Sequence, residues 1–74
     1  MAEKSLSHKF GALVKKHRTK AGLSQEKLAE RAGVHPTYIS LIERCIRNPT
    51  LDVALRIAAA LKLKLWQMIR DLEE

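Results

Sequence analysis

Positively charged side chains are concentrated near the N-terminus of this 74-residue chain, whose formal net charge is +6. In the first twenty positions Glu3 is the only acid. Such a cluster is able to neutralise the phosphates of a nucleic acid, but it is equally typical of the solvated face of a helix. The chain ends in acids, so we expect a nucleic acid to meet the N-terminal half. The basic residues among the first twenty are Lys4, Lys9, Lys15, Lys16, Arg18 and Lys20.

Little in the sequence points to a catalytic site or to a metal-binding site. The sequence has no pair of carboxylates, no nucleophile with a base and no glycine-rich phosphate loop, which predicts that the protein is not an enzyme. His8, His17 and His35 lie far apart, and none pairs with Cys45 at the spacing of zinc ligands. We therefore expect no metal and no cofactor. A single cysteine excludes an intrachain disulfide and fits a reducing compartment, and redox sensing by this thiol is the less favoured alternative.

The length predicts one domain over residues 1–74, of which 1–6 are expected to be a flexible N-terminus. The longest apolar run, Ile57–Leu61, is far shorter than the roughly 20 residues of a membrane-spanning helix, and no signal-peptide core is present. A chain of this size buries only about 60% of its unfolded surface, so dimerisation would add stability.

Three helices are predicted in the first half of the chain. The first is expected from about Ser7 to Ala21, before Gly22. Ser24 is a good N-cap for a second helix, which Gly33 ends. A third begins near Pro36, whose fixed φ suits a first turn. The apolar face of the first helix comprises Phe10, Leu13, Val14 and His17.

Two further helices follow the Asn48-Pro49 turn signal. Thr50 is the expected cap of the fourth helix, whose predicted core stripe is Leu51, Ala54, Leu55, Ala58 and Leu61. The fifth carries Leu65, Met68, Ile69 and Leu72 at the same helical spacing. Because no stretch alternates like a strand, the pattern predicts an all-α bundle with short connections.

The segment Gln25–Arg44 has the features of two helices that cross closely. Ala29 is small enough for the crossing point, Gly33 tolerates the turn, and Ile39 and Ile42 anchor the second helix. Here the sequence resembles the helix-turn-helix domains of the Cro and phage-repressor (Xre-like) family, over Phe10 to about Ile69. The resemblance rests on Arg18, Leu23, Ser24-Gln25, Leu28-Ala29, Gly33, Tyr38-Ile39-Ser40, Ile42-Glu43-Arg44, Pro49-Thr50-Leu51, and Ile57-Ala58-Ala60-Leu61. The sequence also looks like the controller proteins of restriction-modification systems.

This resemblance implies a compact five-helix bundle of the lambda-repressor-like DNA-binding type, with the helix-turn-helix at helices 2 and 3. Helix 3 would enter the major groove. The positions implied as base contacts are His35, Pro36, Thr37, Ser40, Leu41 and Arg44. Those implied as phosphate contacts are Ser24, Gln25, Lys15, Lys16, Tyr38 and Arg47. For Leu41 the alternative is an extension of the core, and for Tyr38 it is packing on helix 2.

The family pattern also implies structural roles. Arg18 and Glu43 match a partly buried ion pair between helices 1 and 3. Cys45 stands where the family favours Gly or Asn, so we expect the end of helix 3 to be remodelled by about a turn. Lys64 stands where a Ser, Thr or Asp cap is usual, which leaves the start of helix 5 open.

A two-fold homodimer is the expected assembly, because large apolar residues remain on a short C-terminal helix. The alternative for Trp66 is that it caps the core of its own bundle. We expect a cytoplasmic, bacterial or phage-type transcription regulator that binds a palindromic operator in double-stranded DNA, as a repressor or autoregulatory controller. The alternatives are the antitoxin of a toxin-antitoxin pair and a protein-interaction module with an unknown partner. The predicted interface is Leu65, Trp66, Ile69 and Leu72.

Overall fold

The computed structural model describes residues 6–70, and over this range the prediction of an all-α fold is confirmed. Leu6 already belongs to the first helix, which ends one residue earlier than expected. Lys4 and Leu72 lie outside the described residues, as does the rest of the expected N-terminal tail before Leu6. The five helices are α1 (Leu6–Lys20), α2 (Gln25–Ala32), α3 (Pro36–Glu43), α4 (Leu51–Ala60) and α5 (Leu65–Ile69).

Side chains cap the N-termini of three helices. The Ser24 hydroxyl accepts a hydrogen bond from the Lys27 N–H at 3.0 Å, and Thr50 plays the same role at the start of α4. At α3 the cap is the imidazole of His35, whose Nδ1 accepts from the Thr37 N–H at 3.1 Å. These acceptors satisfy N–H groups that have no partner within the helix, which explains why the helices begin where they do.

Helix α5 begins without a side-chain cap from the residue that precedes it. Lys64 is extended, and its own N–H donates to the Gln67 side-chain oxygen at 2.8 Å. The bond ties the entering chain to the third residue of the helix. Helix 5 therefore starts at Leu65, although Lys64 lacks the short polar side chain usual at this position.

The turn after α3 differs from the sequence expectation. Cys45 adopts a left-handed backbone with φ 64°, its N–H donates to the Ile42 carbonyl at 3.0 Å, and the Ile46 N–H donates to the Leu41 carbonyl at 2.9 Å. The expected remodelling of this helix end is wrong. The two hydrogen bonds complete a Schellman turn and outweigh the roughly 1–2 kcal/mol that a Cβ costs in this conformation. A residue with the same left-handed backbone follows α1 at Gly22, α2 at Gly33 and α4 at Lys62.

The core lies where α2 packs against both α3 and α4, with α1 packed mainly on α3 and α5 on α4 and α1. Its largest fully buried side chains are Val14, Leu28, Ile39, Ile42, Ile57 and Met68. The predicted stripe of α4 is partly wrong, because Leu51 and Leu55 are 70% and 50% exposed. Ala54, Ala58 and Leu61 of the predicted stripe are buried, and Ile57 and Ala60 are buried where the two leucines were expected. Alanines on this side let α4 approach α2 closely, which turns the bulkier leucines outward.

Helices α1 and α3 make an equally close contact at Gly11. A Cβ added there would collide with the carbonyl oxygen of Ile42 and lie 3.3 Å from the Cys45 sulfur. The absence of a side chain therefore permits the approach of α1 to α3. Sequence analysis missed this residue, and the signal available was a glycine inside an otherwise helical pattern.

Candidate DNA-binding surface

Helix α3 has one buried and one solvent-accessible side. Ile39 and Ile42 are completely buried. At about 100° per residue, the predicted base-contacting positions of this helix span an arc of roughly 140° on the opposite side. Among these positions the exposed residues are His35, Thr37 and Arg44, and the half-buried ones are Pro36, Ser40 and Leu41. The arc combines the hydroxyls of Thr37 and Ser40 with an apolar edge, and it is flanked by the imidazole of the N-cap His35 and the guanidinium of the C-cap Arg44.

Leu41 and Tyr38 are neighbours at one edge of this arc and have different surroundings. Leu41 is half-buried and does not belong to the core cluster, so it is not a simple extension of the core. Tyr38 packs against the core, and the guanidinium of Arg47 lies 5.9 Å from the centre of its ring. This distance is within the range of a cation–π contact. The phenol thus has a packing role and also borders the exposed side chain of Arg47.

The N-terminus of α2 lies beside the end of α3. Ser24 is exposed and caps α2, whereas Gln25 is half-buried. The side-chain nitrogen of Gln25 donates to the Glu43 carboxylate at 3.0 Å. Unpaired backbone N–H groups and the helix dipole make such a terminus favourable for an anion.

Arg18 and Glu43 form a two-pronged ion pair between α1 and α3. Arg18 Nε lies 2.7 Å from Glu43 Oε2, and Arg18 Nη2 donates to Oε1 at 3.1 Å. Arg18 Nη1 also donates to the Leu23 carbonyl at 2.8 Å. The two side chains are only 12% and 3% exposed. The pair therefore ties together α1, the segment before α2 and the end of α3.

The lysines of α1 are accessible, whereas Arg18 is held in the ion pair with Glu43. Lys15 and Lys16 are both exposed, as are Lys9 and Lys20. Within residues 6–70, no three His, Cys, Asp or Glu side chains group in a way that would hold a metal ion. No helix in the described part of the chain is long and apolar enough to cross a membrane.

The predicted dimer residues separate into two groups. Leu65 and Ile69 are half-buried and pack against the core of their own bundle. Trp66 is 56% exposed and lies outside that core, with the Arg70 guanidinium 5.8 Å from the centre of one ring. Trp66 thus does not cap the core. The exposed apolar surface of α4 and α5 consists largely of Trp66, Leu51 and Leu55.

Comparison with known proteins agrees with this geometry. The helix-turn-helix family model HTH_3 matches residues 14–65. An uncharacterized HTH-type transcriptional regulator of Mycobacterium tuberculosis is 42% identical over 53 residues, which are 72% of this chain and 38% of that protein. Control protein C.BamHI of Bacillus amyloliquefaciens is 49% identical over 53 residues, 70% of this chain and 65% of its own length.

A solved structure extends the similarity to the whole fold. The restriction-modification controller protein C.AhdI of Aeromonas hydrophila superposes with a TM-score of 0.81 at 37% identity, and the match covers 84% of this chain and 94% of that one. The resemblance inferred from the sequence is therefore confirmed. The chain belongs to the Cro/C1-type helix-turn-helix family.

Proposed function

We propose that this protein is a sequence-specific DNA-binding transcription regulator whose helix α3 lies in the major groove. The observation that carries the proposal is the polar, accessible side of α3, which adjoins the Ser24-Gln25 start of α2 through Glu43. One element is thereby available to bases while its neighbour is available to the phosphate backbone, which is the docking arrangement of this class of motif.

The residues of α3 suit different parts of the base edges. Thr37 and Ser40 carry hydroxyls that donate or accept, and Arg44 suits the two acceptors of guanine. Leu41 provides an apolar contact for a thymine methyl group. His35 has its Nδ1 committed to the helix cap, so its other nitrogen is the available donor. Pro36 has no side-chain donor, so DNA shape contributes to specificity at this position.

Phosphate contacts come from the elements around α3. The exposed Ser24 and the half-buried Gln25 lie at the positive end of the α2 dipole, where backbone N–H groups suit a phosphate. Lys15, Lys16 and Arg47 provide charge, and the Tyr38 ring supports Arg47. These contacts orient the protein without reading sequence, whereas the base contacts of α3 select it.

The regulator acts as a two-fold homodimer. Trp66 supplies a large exposed apolar surface on α5, and Leu51 and Leu55 extend the apolar surface of this half of the molecule. Leu65, Ile69 and Leu72 complete the proposed interface. Two copies present two α3 helices, so the operator is a palindrome with half-sites about 34 Å apart. Occupancy blocks polymerase, which makes the protein a cytoplasmic repressor or autoregulatory controller.

Selection from a random-centre duplex pool at near-physiological salt tests this function, because non-specific binding weakens steeply under these conditions. We expect enrichment of a two-fold symmetric motif. Arg44→Ala should relax selection at one base pair of each half-site. Arg31→Ala removes the same charge from an exposed position at the far end of α2 and should leave the motif unchanged. A pool that stays random with the unmodified protein contradicts sequence-specific recognition.

A further inference from the structure

The carboxylate of Glu43 is the meeting point of side chains from two other elements. It accepts from Arg18 Nε at 2.7 Å and Nη2 at 3.1 Å, and from Gln25 Nε2 at 3.0 Å. The Gln25 bond is not required by the ion pair, because Arg18 already engages both carboxylate oxygens. The effect of this third bond therefore falls on Gln25 rather than on the ion pair.

The bond fixes which way the Gln25 amide points. A carboxylate only accepts hydrogen bonds, so the amide must turn its nitrogen toward Glu43 and its oxygen away. The nitrogen retains a second hydrogen, which is a donor beside the exposed Ser24. An amide without this anchor would distribute over several rotamers and would present donor and acceptor in turn.

The charges next to Gln25 are also compatible with an anionic ligand. A carboxylate close to DNA ordinarily repels phosphate, but the Glu43 side chain is only 3% exposed and is neutralised by Arg18. Arg18 Nη1 in addition holds the Leu23 carbonyl, which fixes the backbone just before Ser24. Glu43 is thus able to orient Gln25 without adding a net negative charge to the surface.

We propose that Glu43 is a positioning residue for DNA binding, which holds the Gln25 amide so that its second N–H donates to a DNA phosphate. The proposal rests on the proposed function, since it requires that α2 meets the DNA backbone. This role is additional to the ion pair, because Arg18 and Glu43 would form the same ion pair without Gln25.

A double-mutant cycle separates this role from a purely structural one. Glu43→Asp keeps the charge but shortens the side chain by one methylene, so it is unable to hold Arg18 and Gln25 together. Gln25→Met keeps the approximate size but removes the amide. All four proteins carry the same formal charge, so the salt dependence of binding should not differ among them. The probe is a labelled mixed-sequence duplex at low salt, where phosphate contacts dominate the affinity.

We expect each single variant to bind the duplex about tenfold more weakly, the effect of one hydrogen bond to a charged group. Glu43→Asp should have less than about a twofold effect in the Gln25→Met background, because Glu43 acts through Gln25. An equal loss in both backgrounds, or no loss on Gln25→Met, overturns the proposal. The affinity of the unmodified protein for its selected operator tests the proposed function separately.

A second measurement remains informative if Glu43→Asp destabilises the fold. In the DNA-free protein at a temperature where each variant is folded, ¹⁵N relaxation of the Gln25 side-chain amide reports its order directly. We expect a rigid amide in the unmodified protein and a mobile one in Glu43→Asp. A mobile amide in the unmodified protein, or an equally rigid one in the variant, contradicts the positioning role.

Discussion

Replacing Gly11 by alanine should destabilise the protein, although helix propensity alone predicts the opposite. In an exposed helix, Gly→Ala stabilises by about 1 kcal/mol. At Gly11 the new methyl group would meet the Ile42 carbonyl, a backbone group of α3 that is unable to rotate away. Overpacking of this kind costs about 1–3 kcal/mol. The rigid partner favours the upper end, so we expect a net loss of about 2 kcal/mol after the propensity gain.

The assay is thermal unfolding followed by circular dichroism at one fixed protein concentration, because self-association shifts the midpoint. For a domain of this size 1 kcal/mol corresponds to about 4–8 °C, so the Tm should fall by about 8–16 °C. Ala12→Gly is the matched control, since Ala12 is the exposed neighbour on the same helix. It should lose only the propensity difference of about 1 kcal/mol. A Tm for Gly11→Ala equal to or above that of the unmodified protein refutes the reasoning.

Three other substitutions test separate features. Glu43→Ala should cost about 3–5 kcal/mol in urea unfolding, because the charge of Arg18 would remain nearly buried without its partner; a loss below about 1 kcal/mol would contradict the importance of the pair. Lys62→Gly should raise the urea midpoint by the equivalent of about 0.5 kcal/mol, because the relief of left-handed backbone strain exceeds the extra entropy that glycine gives the unfolded chain. Lys62→Ala keeps the Cβ and should leave the urea midpoint without this increase. Trp66→Ala should weaken self-association and operator affinity together, and unchanged sedimentation at micromolar concentration would argue against Trp66 in the interface.

Helix ends were largely predictable from the sequence because their determinants are local. Ser24 and Thr50 supply a hydroxyl to N–H groups three residues ahead, and Pro36 begins a helix because its φ is already suitable. Gly33 tolerates the left-handed turn without cost. Cys45 shows the limit of this reasoning. The hydrogen bonds that stabilise its turn outweigh a residue preference that taken alone predicts another geometry.

The sequence by itself determined the family, the five helices and the identity of the residues that line α3, because periodicity, caps and the ordered helix-turn-helix pattern are all written along the chain. Only the tertiary structure decided that Ile57, rather than Leu51 and Leu55, faces inward on α4, since the alanines that allow close packing matter more than the larger leucines. It also decided that Gly11 is a contact point and that Gln25 is bound to Glu43. Those two features depend on the distance between helices, which arises from packing many residues at once rather than from the properties of any one segment.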